Sequence, residues 1–174
     1  MTLTTAISRV CQAWSGKIKT LYLADKADVT SFTLTGGVYT AVTMASGKVF
    51  KDYQFFEDAA AEFKEEPVRN ETSGSIMNTQ TIECTFQGKN STLRTSLQEF
   101  LDSSTCGVVA VVEDHNDNKW VVGYNEKSKK ALKVATMMST IGGEIDALVG
   151  TTVTMSVKIP AELARTFTGT VPVS

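Results

Sequence analysis

Residues 107–124 read GVVAVVEDHNDNKWVVGY. Val108 to Val112 are apolar without a break, Asp114 to Asn118 are polar without a break, and after Lys119 a second largely apolar stretch runs from Trp120 to Tyr124. A helix would space its apolar residues three and four apart over about ten positions or more, whereas a run of five ending in a polar turn has the length of a strand. Consecutive apolar residues occupy both faces of that strand, so both faces must be covered. The stretch therefore predicts a central strand at 108–112, a turn at 114–118 and a returning strand at 119–124.

Outward from it the period of two recurs. Strands are expected at 17–24, 29–34, 38–44, 48–56, 75–86, 131–138 and 151–159, the last alternating Val153, Met155, Val157 and Ile159. Thr35-Gly36-Gly37 between two of these strands is a hairpin signal. Within 75–86, Ile82, Cys84 and Phe86 fall on one face and Thr81, Glu83 and Thr85 on the other. The chain's 24 threonines and 18 valines suit pleated, half-exposed surfaces.

Two segments carry the helical period instead. Asn90 to Asp102 places Leu93, Leu97, Phe100 and Leu101 on one stripe, with Asn90 or Ser91 as the cap. Thr2 to Trp14 places Leu3, Ile7, Val10, Cys11 and Trp14 on another and stops at Gly16. Thirteen residues are marginal for a helix alone in water, so this arm must dock. Residues 57–74 follow neither period; they are charged, contain Pro67 and close on Ser73-Gly74, and they read as a long loop. Residues 160–174 read as a tail too poor in apolar side chains to build a strand pair alone.

The fold class expected is mainly β: a sandwich or barrel of about eight to ten mostly antiparallel strands with one packed helix and an N-terminal helix. It forms a single domain over residues 1–174. The arm is 1–16, the sandwich 17–159 with the helix 90–102 and the loop 57–74 inserted, and the tail 160–174.

Seventeen basic and nineteen acidic side chains give a formal charge of −2, which argues against a protein that grips nucleic acid by its phosphates. No apolar run approaches a membrane span, and Met1 to Gly16 lacks the pattern of a signal peptide. Cys11, Cys84 and Cys106 are odd in number and far apart, so neither a disulfide framework nor a zinc site is expected, and a reducing cytoplasm is. Asp114, Asn116 and Asn118 alternate as calcium ligands do, but Lys119 stands where a calcium loop needs glycine and Asn125 where it needs glutamate. His115 has no nucleophile placed beside it by any motif, and the Gly36-Gly37 and Gly142-Gly143 pairs lack the lysine of a phosphate loop. No catalytic residue, cofactor or metal is expected. A β domain with a docking arm, a long charged loop and edge strands to cover reads as a subunit of an assembly.

Three stretches carry a resemblance: LYLADKADVTSFT at 21–33, YTAVTMASGKVFKDYQF at 39–55, and the 107–124 hairpin with the helix before it. Together they resemble tail tube-type (major tail) structural proteins of tailed bacteriophages, in particular those infecting Bacteroidetes. The resemblance implies a β-sandwich or barrel whose copies form hexameric rings, the inner strands joining into a β-lined channel. Rings stack, and DNA passes through at infection without specific binding. The partners implied are the chain itself and other phage tail or neck proteins, with no membrane. The place implied is the virion tail after assembly in the host cytoplasm. A tail terminator, tail-completion or head–tail connector ring protein is the alternative within that class, and a β-barrel ligand-binding module the alternative outside it.

On this reading Ile7, Val10 and Trp14 dock the arm across a subunit boundary. Phe63 anchors the 57–74 loop on the next ring, with Val68 as a secondary contact, and Glu62, Glu65, Glu66 and Glu71 face Lys64 and Arg69 in rim pairs. Thr81, Glu83, Thr85 and Gln87 are the expected lumen face.

Overall fold

The computed structural model describes residues 17–55, 61–87, 91–125, 130–140 and 150–173. The expected N-terminal helix, with Ile7, Val10 and Trp14, lies outside the described residues, as do residues 56–60, 88–90, 126–129 and 141–149.

The fold is mainly β, with three antiparallel sheets and one helix among the described residues, consistent with a β-sandwich. In chain order the first strands are β1 (Ile18–Asp25), β2 (Val29–Thr35), β3 (Val38–Met44), β4 (Lys51–Gln54), β5 (Ala61–Arg69) and β6 (Ile76–Gln87). The helix α1 (Ser91–Ser103) follows, then β7 (Val108–Asp114), β8 (Lys119–Val122), β9 (Lys133–Thr140), β10 (Gly150–Pro160) and β11 (Arg165–Thr166). One sheet has the order β11-β8-β7-β1-β4, a second the order β5-β6-β10-β9, and β2 and β3 form a two-stranded third.

The unbroken apolar run of β7 makes it a wall shared by two cores. Val108, Ala110 and Val112 face the first core, where Leu21 and Leu23 of β1 meet Ile82 and Cys84 of β6 and Val153 and Met155 of β10. Leu97 and Phe100 of α1 close this core, while Leu101 on the same sequence stripe stays 38% exposed. Val109 and Val111 face the second core, built with Phe32 of β2, Tyr39 of β3, and Phe50, Tyr124 and Phe167. Phe32 sits at its centre, its ring 5.2 Å from Tyr39, 4.7 Å from Tyr124 and 6.0 Å from Phe167, tilted or edge-on as aromatic quadrupoles favour. Gly36 and Gly37 take φ of 60° and 88°, the left-handed pair that a two-residue hairpin turn with the right strand twist demands.

Two segments differ from the sequence expectation. Residues 61–69 of the expected loop 57–74 are strand: β5 pairs residue for residue with β6, from Ala61 opposite Cys84 to Arg69 opposite Ile76. Among the described residues of that loop only the Asn70–Ser75 turn remains, and it is tied, since Asn70 Oδ1 accepts the backbone N–H of Thr72 at 2.9 Å and of Ser73 at 3.0 Å. The expected tail is a strap across the sheets rather than a loose end. Ala161 N–H donates to Ile76 O at 3.0 Å, Phe167 N–H to Lys119 O at 2.8 Å and Thr168 N–H to Tyr39 O at 2.9 Å. Phe167 and Val171 are buried in the second core.

Candidate functional site

The side chains considered for chemistry stand apart. Among the described residues no cluster of three or more His, Cys, Asp or Glu side chains could hold a metal ion. The Asp114–Asn118 turn is closed on itself: the Asp114 carboxylate accepts Asn116 N–H at 2.8 Å, Asn118 N–H at 2.9 Å and both asparagine amides at 3.2 Å. Burial pushes the Asp114 carboxyl up, but the four hydrogen bonds from Asn118 and Asn116 outweigh it and hold the group below its usual range. His115 lies half-buried in this turn, with Nε2 enclosed and without a hydrogen-bond partner among the described residues. Cys84 is fully buried; desolvation, with Glu83 beside it, pushes its thiol up to about 12, which suits a packing role rather than a nucleophile. Cys106 is exposed and unbridged.

The more extensive feature is the outer face of the β5-β6-β10-β9 sheet. Strand alternation and register set its rows. Glu62, Glu83, Thr154 and Thr136 form one row, Lys64, Thr81, Ser156 and Lys133 the next, and Glu66, Thr79 and Lys158 the one beyond. Carboxylates and ammonium groups number three each in these rows, so the charge balances, and hydroxyls fill the rest. Glu62 opposite Glu83 is a like-charge pair that would weaken the ladder. Lys64 Nζ answers it by closing on Glu62 Oε1 at 2.5 Å. That hydrogen bond to Glu62 raises the Lys64 ammonium, with the charges of Glu62 and Glu83 adding to it.

Of the expected lumen residues, Glu83 and Gln87 are exposed and Thr81 is half-exposed on this face. Thr85 is a correction: it is 8% exposed and shares a 3.0 Å hydrogen bond with the Thr152 hydroxyl.

The expected contact residues on β5 do not form one cluster, because a strand sends neighbours to opposite faces. Glu62, Lys64 and Glu66 lie on the outer face, and Phe63, Glu65 and Arg69 fall on the other parity. Phe63, expected to anchor on a partner, packs against the chain's own first core, directly opposite Ile82. Glu65, expected in a rim pair, instead accepts three hydrogen bonds at one oxygen. The donors are Asn78 Nδ2 at 3.0 Å, Gln80 Nε2 at 3.2 Å and the Ala164 N–H at 2.6 Å. Gln80 passes the contact on by accepting Gly123 N–H at 3.1 Å, and Arg165 joins Glu162 at 2.7 Å and Gly37 O at 3.2 Å. This network ties both large sheets to the strap and the β2–β3 turn. Only the pair of polar residues in a strand otherwise apolar on its inner side, Asn78 and Gln80, could have announced it in the sequence.

The long edges of this sheet are also distinctive. Among the described residues β5 and β9 each pair on one side only. Pro67 lies on β5, where a missing N–H costs least, and β9 carries a register shift between the partners of Thr154 and Met155. No family model matches this chain, nor does any curated protein or solved structure.

Proposed function

We propose that the chain is a structural subunit of a phage tail tube, without catalytic activity, whose copies close into stacked rings, hexameric by family resemblance, around a DNA conduit in the virion. The observation that carries the reading is the outer face of the β5-β6-β10-β9 sheet, which is broad, hydroxyl-rich, charge-balanced and bounded by two single-paired edges. A wall past which a polyanion slides must not hold it, and three lysines offset by three glutamates release few counterions on contact. The two edges are weakly complementary: β5 carries Glu62, Glu65 and Glu66 against Lys64 and Arg69, while β9 carries Lys133 and no acidic residue. An edge so furnished is suited to a second copy's edge in a head-to-tail ring.

Electron microscopy of the purified full chain tests this. Rings or tubes with a central channel are expected, and Lys133→Glu should shift the assembly equilibrium toward the monomer. A monomer at every concentration would overturn the reading; single rings that never stack would favour a terminator or connector ring.

A further inference from the structure

A cleft of about 320 Å³ opens between α1 and the end of β1. Leu23, Tyr53, Phe100 and Val108 form its apolar and aromatic floor. Three carboxylates, Asp25, Asp28 and Glu99, and two lysines, Lys48 and Lys51, stand at its mouth. Asp28 and Lys48 are joined to each other at 3.4 Å, so the mouth carries a surplus of negative charge. Its volume lies in the range that takes a large side chain or a small ligand.

Residues 1–16, outside the described part of the chain, have matching chemistry. Arg9 is their only charged side chain, and Leu3, Ile7, Val10, Cys11 and Trp14 recur at helical spacing. An apolar stripe with one cation complements an apolar floor with an acidic mouth.

We infer that this cleft receives the 1–16 segment of a second copy, with Trp14 as the anchor in the floor and Arg9 at the carboxylates. The inference rests on the ring assembly proposed above. Complementarity selects the segment, and the ring reading selects the copy. A neighbour's arm in this cleft would link adjacent subunits and leave Trp14 open in the monomer. A copy's own Trp14, three residues before Lys17, would instead be shielded before any assembly. Tryptophan and arginine are also the residues that most often dominate binding energy at protein interfaces.

The test uses the full chain with Trp120→Phe, which leaves Trp14 as the sole indole. Assembly should shift its emission to the blue and cut acrylamide quenching several-fold relative to the dilute monomer. Trp14→Ala, and separately Glu99→Arg at the exposed mouth, should each raise the concentration needed for assembly more than tenfold. Glu99→Arg should also abolish the blue shift, with thermal unfolding unchanged as a check of its fold. Assembly with Trp14 still open to quencher would overturn the inference and leave the tube reading intact. A Trp14 already shielded in the monomer, or a Glu99→Arg variant that behaves as the parent does, would overturn it equally. Absence of any assembly would overturn the tube reading and this inference with it.

Discussion

Glu65 on β5 and Asn78 on β6 are joined by a 3.0 Å hydrogen bond from the asparagine amide to the carboxylate, on a side of the sheet whose other members are largely apolar. Asn78 and Gln80 are 1% and 2% exposed; the Gln80 amide donates to this same oxygen, and the Asn78 amide divides its protons between it and Glu162 O at 2.8 Å. Glu65→Ala should therefore cost about 1–3 kcal/mol, the range for leaving buried donors unsatisfied. Glu65→Gln, which keeps an acceptor, should cost less. Glu66→Ala, one residue along on the outer face, should stay within about 0.5 kcal/mol of the parent. Urea midpoints at constant slope decide the ranking.

Tyr22 donates its phenol proton to Glu113 Oε2 at 2.9 Å. Burial, then this bond and the charge of Glu113, push the phenol up to about 12. A raised folded value favours the neutral form, so the contribution to stability is complete below about pH 10, where the free phenol begins to ionise, and is lost as pH rises through 12. Alkaline titration of tyrosine absorbance should show a late step near 12 that Tyr22→Phe removes. Retention of the step in that variant would assign it to another tyrosine.

Gly123 ends β8 with φ of 76°, and a Cβ there would lie 2.6 Å from Leu132 Cγ and 3.0 Å from Leu132 N. Leu132 is fully buried in the first core and cannot swing away. Gly123→Ala combines left-handed strain with overpacking and should lose about 1–3 kcal/mol. Gly47→Ala makes the comparison, because φ there is 74° and nothing lies within 4 Å of the added carbon. The difference between the two in thermal unfolding isolates the steric part.

Phe167 fastens the strap, 3% exposed and edge-on to Phe32. Phe167→Ala should cost about 3–5 kcal/mol. Amide exchange should then rise first in β2 and β3, which among the described residues form a sheet of two strands only. Uniform acceleration across β1 and β7 as well would show that the hairpin layer does not open separately.

The central strands were legible because a strand buried on both faces leaves an uninterrupted apolar run, as Val108 to Val112 do. The hairpin at Gly36-Gly37 was legible because its turn demands a residue type. β5 was not, since an edge strand with one wet face can carry Glu62, Lys64, Glu66 and Pro67 and still pair, and charge then masks the period. Phe63 and Glu65 were misplaced with it: once that segment is a strand, alternate residues must turn inward. The strap escaped notice because its two buried residues, Phe167 and Val171, follow no period; their burial comes from contact with other elements. Thr85 shows the limit of alternation itself, which assigns a face but not what covers it.

β7 is the common wall of two cores, and neighbouring residues on it belong to different ones. A slip of one position against β1 would exchange valine for valine, so the apolar run by itself accepts either alignment. The register is fixed from the strand's polar end, where a slip would take Glu113 from Tyr22, Lys19 and Lys119 and turn its carboxylate toward the aliphatic core.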